Sequence, residues 1–420
     1  MKYCIVTFGC RVNQADSSEI EAQLLEHGGV SADAEHADLV VVNTCSVTSA
    51  SDQGARQIIR KIARENPAAR IVVTGCYATR QPAELASLPG VVQVVANDRK
   101  DFFAAEVGLT TAERFSDGDG ACGAEIVPGT AGRTAYTLRV QTGCDETCAY
   151  CIIPSTRGRG RSRPVAFVLA EIRRVCAAGF REIALTGVHL GSYGRDLREP
   201  ASLVQLLHAI DADAQGEVRF RVSSLEPMDC SEEIVELVAA SPRFAPHFHL
   251  PLQHASDRML VGMRRPYTVV YYRRLVDGIR ARIPHASIGS DVIVGFPGET
   301  DADFAELEHY LAESPLTHVH VFPYSDRPGT DATAMKDKVH GSLVRERATR
   351  LREISRGLTA SFQQSQHGTV RPALTIDDGA TAVTDNYLKV RIPPGHERNE
   401  WVSVRVRTQE EPLTAELVEL

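Results

Sequence analysis

No run of apolar residues in this 420-residue chain approaches the roughly 20 that a bilayer-spanning helix needs. The opening MKYCIVTFGC has too short an apolar stretch for a secretory leader and leads straight into structure. The expectation is a cytoplasmic protein with no membrane partner. An excess of basic charge is missing too. The formal net charge is −8, which excludes wholesale coating of nucleic acid but leaves room for a local basic patch. There is no tandem repeat and no low-complexity tract. The length allows two or three domains with real cores.

What is present is cysteine, ten residues in all. In a cytoplasmic chain these are metal ligands or catalysts more often than disulfides. Three of them close hydrophobic runs: CIVTFGC ends on Cys10, LVVVNTC on Cys45 and RIVVTGC on Cys76. The first hundred residues alternate such runs with helical patterns, and strands are expected at about 3–8, 39–43, 71–74 and 91–96. Continuous rather than alternating hydrophobicity suits strands covered on both faces, which means a parallel α/β sheet.

In such a sheet the residue after each strand lies on the carboxyl edge, where these folds keep their ligands. Cys10, Cys45 and Cys76 are about one βαβ unit apart, so they should converge on one rim. Each precedes a helix start, whose backbone N–H groups favour thiolate over thiol. Three thiolates hold a soft metal and leave a fourth coordination position open, a reactive arrangement rather than a closed one. A single cysteine there would read as a small core residue; three at equivalent positions read as a site. Cys4, Cys122, Cys176 and Cys230 show no such pattern and receive no ligand role.

Residues 1–115 are therefore expected to form the first α/β domain, and the Gly/Asp/Ala-rich 116–133 a linker. A second α/β series follows, with strands expected at 136–141, 182–186, 217–223, 247–252, 287–294 and 318–323. These βα steps fit a partial or full barrel over 134–366, ending in a long polar helix. Residues 367–420 change to short strands and turns, a small all-β domain.

The second cysteine set, Cys144, Cys148 and Cys151, has C-x3-C-x2-C spacing and follows the first barrel strand. That is the face where barrels keep their chemistry. Three close thiolates without a fourth ligand suggest an iron–sulfur cluster with one open iron. A zinc knuckle would need a second C-x2-C pair, and none is present. Next come Arg157, Arg159, Arg161 and Arg163 in TRGRGRSRP, and later Arg264 and Arg265 in MRRPYT. They are candidates for RNA phosphate and base contacts, with a solvated arginine face as the plainer alternative. His247/His249 and His318/His320 alternate, so each pair shares a sheet face. With two cysteine sets already present, the expected role of these histidines is polar barrel lining rather than metal binding.

The cysteine loop, with Tyr150 before its last cysteine, resembles the signature of radical S-adenosylmethionine enzymes. TFGCRVNQADS, VVNTCSVT, VVTGCYA, LTGVHLGSYG, RVSSLEP, HLPLQHASDRMLVGMRRPYT, DVIVGFPGET and HVFPYSDRPGT follow in the order of the tRNA methylthiotransferases. The tail is similar to the RNA-binding TRAM domain, and GCRVNQADS and HVFPYSDRPGTDATAM resemble the MtaB-type subgroup. That resemblance implies an N-terminal parallel α/β domain, a central radical-SAM (βα)6 partial barrel and a small TRAM-like β domain. It implies two 4Fe–4S clusters, one on Cys144, Cys148 and Cys151 and an auxiliary one on Cys10, Cys45 and Cys76. S-adenosylmethionine contacts would come from Tyr150, Gly187, Ser223, Glu226, Gln253, Asp291 and Gly295. The implied activity is methylthiolation of carbon 2 of N6-threonylcarbamoyladenosine beside the tRNA anticodon. It also requires an electron donor and a sulfur source, both unidentified. The same chemistry on isopentenyladenosine in tRNA or on a ribosomal-protein aspartate is the sister reading. A non-catalytic metal-cluster protein that binds RNA is a reading of another class, and would want closed four-ligand sites.

Overall fold

The structure is a computed structural model that describes residues 1–109, 128, 134–213, 216–407 and 412–418. The expected linker at 116–133 and Cys122 lie outside the described residues, Pro128 apart. Two compact units are present, Met1–Ile126 with Thr142–Glu146 and Cys151–Gly160, and Val127–Gln141 with Thr147–Tyr150 and Arg161–Leu420.

The first unit is a five-stranded parallel sheet. Its strands are β1 (Lys2–Thr7), β2 (Val30–Ser31), β3 (Leu39–Thr44), β4 (Arg70–Gly75) and β5 (Val91–Val95), in spatial order β2-β1-β3-β4-β5. This is a doubly wound order whose switch point lies between β1 and β3. All six residues of β3 are buried because alternate side chains enter different cores. Val40 and Val42 meet Ala55, Ile59 and Ile62 of α2 (Ser49–Glu65). Leu39 and Val41 meet Ile20 and Leu24 of α1 (Arg11–Glu26), with Phe103 of α5 (Phe103–Glu106). Two short helices, α3 (Cys76–Arg80) and α4 (Pro82–Ala86), follow β4.

In the second unit, β6 (Tyr136–Arg139), β9 (Glu182–Thr186), β10 (Arg219–Val222), β11 (His247–His249), β12 (Ser287–Val294) and β13 (His318–Pro323) are parallel wherever they pair. They form two three-stranded sheets, and Phe220–Phe244 bridging and the Leu225 N–H to His249 carbonyl bond (2.9 Å) join β10 to the β11 segment. The barrel is therefore partial. Around the cysteine loop lie β7 (Gln141–Thr142), α6 (Ile153–Arg157) and β8 (Arg161–Ser162). The remaining helices lie between and after the strands, with α10 and α11, and α13 and α14, in direct succession: α7 (Val165–Ala177), α8 (Leu203–Asp213), α9 (Glu232–Ala240), α10 (Asp257–Gly262), α11 (Val269–Arg282), α12 (Asp301–Glu313), α13 (Asp331–Ala334) and α14 (Gly341–Ser365). Helix α12 starts with a capping box, Thr300 with Asp303.

The chain ends in an antiparallel five-stranded sheet, β14 (Val370–Ile376), β15 (Thr381–Thr384), β16 (Lys389–Arg391), β17 (Trp401–Val406) and β18 (Ala415–Leu417), ordered β16-β15-β14-β17-β18. An Arg391–Thr414 bridge curls its edges together. Buried Arg221 of β10 fixes this sheet to the barrel. It grips Glu182 of β9 bidentately (2.8 and 3.0 Å) and donates to the carbonyls of Asp385 (2.8 Å) and Thr384 (2.9 Å). Among the described residues no helix is long and apolar enough to cross a membrane.

Candidate functional site

The three strand-ending cysteines of the first unit follow adjacent strands β1, β3 and β4 at the carboxyl edge of the sheet. Cys10 is the N-cap of α1, and Cys76 is the first residue of α3. Glycines precede two of them for steric reasons. Gly75 has φ +102°, and a Cβ there would stand 2.1 Å from the Thr44 carbonyl oxygen. Gly9 has φ +91°, and its Cβ would stand 2.5 Å from both Cβ and Sγ of Cys45. Only glycine allows both the left-handed turn and this approach. Cys10, Cys45 and Cys76 are free thiols, and Cys10 and Cys76 lie close enough to Cys45 to act on its charge.

Burial pushes the Cys45 thiol up to about 11, and Cys10 and Cys76 add to the effect. Backbone N–H groups of Val47 and Ser46 pull the other way and lose. The expectation that chain position alone favours thiolate is thus reversed at Cys45, because desolvation outweighs the backbone dipoles. A bound cation would reverse that balance, since coordination takes the thiolate form.

Positive charge is already buried behind this rim. Lys100, in the 3-10 turn Asn97–Phe102, donates to Asp16 (2.8 Å) and Asn43 (3.0 Å). Arg157, at the end of α6, donates to Asn13 (2.5 Å) and Asp16 (2.9 Å). Burial works against the Arg157 charge, but Asp16, Cys76 and Cys10 outweigh it and raise its pKa. Asn13 in turn donates to the carbonyls of Phe8 (2.8 Å) and Thr44 (2.9 Å), tying α1 to the ends of β1 and β3. Asn97 reaches Sγ of Cys76 at 3.6 Å. Burial pulls the Lys100 pKa down against the pull of Asp16, so the fixed positive charge behind the rim is that of Arg157, placed to favour an anionic group carried on the thiolates. Sequence reasoning missed Asn13, Asp16 and Lys100. The available signal was the polar 13, 16 and 17 positions on the buried face of α1.

The C-x3-C-x2-C loop divides between the units: Cys144 and Cys151 belong with the first, and Cys148 with the second. Within the first, Gly143 has φ +72° and its Cβ would stand 1.9 Å from the Arg159 carbonyl oxygen, while Cys144 N–H bonds the Gly158 carbonyl (3.0 Å). Within the second, Cys148 Sγ accepts from Arg265 (3.0 Å), Arg265 pairs with Glu226, and Tyr150 packs against the Phe296 cluster. Burial opposes the Arg265 charge; Tyr150, Tyr267 and Cys148 outweigh it and raise its pKa.

Of the other candidates, Gly187, Ser223 and Gly295 come directly after β9, β10 and β12, and Glu226 and Gln253 lie in loops beyond β10 and β11. Gln253 has φ +67° and brackets β12 through backbone bonds to Asp291 and Ile293 (both 2.8 Å). Asp291 differs: it sits inside β12, and its carboxylate accepts from His249 (2.9 Å).

The arginines grouped by sequence separate in space. Arg157 and Arg265 are buried and bonded to anionic partners, so neither presents its charge to an RNA. The alternating pattern breaks at Arg157 because it closes a helix, not an extended strand. Arg159, Arg161 and Arg264 are exposed; Arg159 pairs with Asp145 and Arg264 with Asp331. Arg163 is half-buried and lies over the Phe167 ring.

Two family models match the chain: the uncharacterized protein family UPF0004 over residues 2–97, and the radical SAM superfamily over residues 138–311. The chain is 35% identical to a threonylcarbamoyladenosine tRNA methylthiotransferase, MtaB, of Bacillus subtilis, over 91% of this chain and 88% of that one. A Thermotoga maritima protein of the same name is also 35% identical, over 97% and 94%. A ribosomal protein uS12 methylthiotransferase, RimO, of Desulfotalea psychrophila is 34% identical over 93% and 90%. In fold the chain is similar to the radical S-adenosylmethionine methyltransferase TsrM of Kitasatospora setae, with TM-score 0.57 and 17% identity over 79% and 76% of the two chains. Through its two matched regions and relatives of nearly full length, the chain belongs to the radical S-adenosylmethionine methylthiotransferase family.

Proposed function

We propose that this protein is a tRNA methylthiotransferase that places a methylthio group on carbon 2 of N6-threonylcarbamoyladenosine beside the anticodon. The observation that carries it is the placement of Cys10, Cys45 and Cys76 beyond the carboxyl ends of the adjacent strands β1, β3 and β4, with Lys100 and Arg157 buried behind them. Those thiolates would hold an auxiliary 4Fe–4S cluster by three irons, and Cys144, Cys148 and Cys151 would hold the cluster that binds S-adenosylmethionine. A 4Fe–4S cluster with S-adenosylmethionine supplies single-electron cleavage of a sulfonium bond, the chemistry needed to take hydrogen from an unreactive aromatic carbon.

The chain's own residues position and shield. Glycines 187 and 295 let the chain turn at the barrel's carboxyl end close against Leu190 and Val344, where a Cβ would stand 2.7 and 2.4 Å from those side chains. Ser223, Glu226 and Gln253 would offer polar atoms to a ligand there. Tyr150 would cover the ligand beside the cysteine loop. Buried Arg265 neutralises charge at Cys148 and holds Glu226 in place. Exposed Arg159, Arg161 and Arg264, and half-buried Arg163, would supply positive charge for the tRNA backbone.

The substrate reading rests on the names of the MtaB relatives, and the RimO relative supports a ribosomal-protein substrate as the second reading. Mass spectrometry of tRNA nucleosides from a deletion strain and its parent separates them. Loss of the 2-methylthio form with retention of threonylcarbamoyladenosine is expected; an unchanged nucleoside profile would refute the tRNA reading. A Cys76→Ala variant should still cleave S-adenosylmethionine but fail to insert sulfur.

A further inference from the structure

Outside both cysteine sets, three histidines of the barrel face one another across adjacent strands. His249 of β11 pairs in register with Gly289 of β12, and Gly289 pairs with His318 of β13. His320 lies two residues on, on the same face of β13. A glycine inside a strand gives up packing and backbone entropy, and commonly marks the close approach of another group. Here two imidazoles fold over it. A Cβ on Gly289 would stand 2.2 Å from Nε2 of His318 and 2.9 Å from Nδ1 of His249. Gly289 is not among the residues with positive φ, so what it supplies is space.

The far nitrogens of both rings are already engaged. Nε2–H of His249 donates to the Asp291 carboxylate at 2.9 Å. Thr317 spends its single hydroxyl proton on the Ile288 carbonyl (3.1 Å), so it accepts from Nδ1–H of His318 (3.0 Å). A neutral imidazole that carries a proton on one nitrogen keeps a lone pair on the other. The lone pairs on Nδ1 of His249 and Nε2 of His318 therefore meet in the space above Gly289. The three rings lie 5.4 to 6.1 Å apart between centroids. One ligand nitrogen from each of the three histidines lies within 4.8 Å of the others. A ligand histidine whose other nitrogen is bound to a carboxylate is the usual outer-shell arrangement of a metal site. Burial, then the neighbouring rings, press His318 down to about 4, so it stays neutral near pH 7.

We propose that His249, His318 and His320 bind a divalent transition ion of the zinc class, forming a staple across β11, β12 and β13. An all-imidazole donor set suits such an ion and is poor for calcium or magnesium. His320 is exposed, which gives the ion a way in and leaves a fourth position for water. His318 and His320 lie in the first half of β13, away from the carboxyl ends where a barrel does its chemistry, so the staple serves the fold.

The test uses the full chain with its clusters reconstituted anaerobically, so that the cysteines are occupied. The protein is equilibrated with zinc chloride, freed of excess, and measured by elemental analysis, zinc-edge X-ray absorption and thermal unfolding. One zinc per chain with a nitrogen and oxygen shell is expected, together with a higher unfolding midpoint. His318→Gln and His320→Gln should each weaken zinc binding at least tenfold and abolish the thermal gain, with iron content unchanged. His320 is exposed, so His320→Gln decides the matter if His318→Gln fails to fold. Sulfur in the zinc shell, no zinc retained, or zinc uptake unchanged in His320→Gln would each overturn the proposal.

Discussion

Replacing Gly9 with alanine attacks the three-thiol rim without removing a thiol. The backbone there has φ +91°, where a Cβ costs about 1–2 kcal/mol. The added methyl would also stand 2.5 Å from Cβ and Sγ of Cys45, closer than real carbon contacts allow. Cys45 is 3% exposed and cannot swing into solvent, so the rim itself must shift. Overpacking of that kind costs about 1–3 kcal/mol more, giving a total near 2–5 kcal/mol. Iron measured after anaerobic reconstitution should fall from about eight to about four atoms per chain, one cluster's worth. S-adenosylmethionine cleavage should continue while thiolation stops. Gly54→Ala in α2 is the control. Its Cβ would meet only Phe8 at 3.6 Å, an ordinary contact, and it should stabilise the helix by about 0.5–1 kcal/mol. A Gly9→Ala protein with full iron content and full thiolation would refute the steric argument for how the thiols are brought together.

Arg157→Met should cost about 1–3 kcal/mol in urea unfolding, because it leaves the buried Asn13 amide oxygen without its donor while Asp16 keeps Lys100. Arg221→Met should cost more, about 3–5 kcal/mol, by leaving Glu182 buried and without its ion-pair partner. It should also open the C-terminal sheet to limited proteolysis well before the barrel; simultaneous digestion of both would count against Arg221 as the fastener. The cluster-free protein should lose stability on the alkaline side. Folded Cys45 keeps its proton up to about pH 11, whereas an unfolded thiol releases it about two units lower. The folded state therefore binds more protons across that window, and up to about 2–3 kcal/mol of stability is lost as pH rises through it. A Cys45→Ser protein should lack that alkaline loss in pH-dependent unfolding, and an equal loss in both would show that Cys45 is not its source.

Period and run length made the strands legible. Apolar runs marked β3, β4 and β9 as strands buried on both faces, and these, like β12 and the alternating β13, lie within a residue of their expected limits. A cysteine at the end of such a run has to fall on the carboxyl edge whatever the strand order, which is why Cys10, Cys45 and Cys76 could be singled out from sequence. That β1, β3 and β4 are neighbours was not written there, because adjacency is a property of the sheet and not of any one strand. The arginine series shows the limit from the other side. Spacing alone made Arg157 one of four alike, while packing turned it inward against Asp16 and left Arg159 and Arg161 outside.

The histidines divide in the same way. Alternation within a strand paired His318 with His320 and His247 with His249. Strand register then joined His249 to the first pair across Gly289 and left His247 against Tyr387 of the C-terminal sheet. Local sequence thus determined which residues reach an edge or share a face, because backbone periodicity is a short-range property. Which edges and faces meet was decided only by tertiary packing, since partners far apart in the chain leave no mark in each other's neighbourhood.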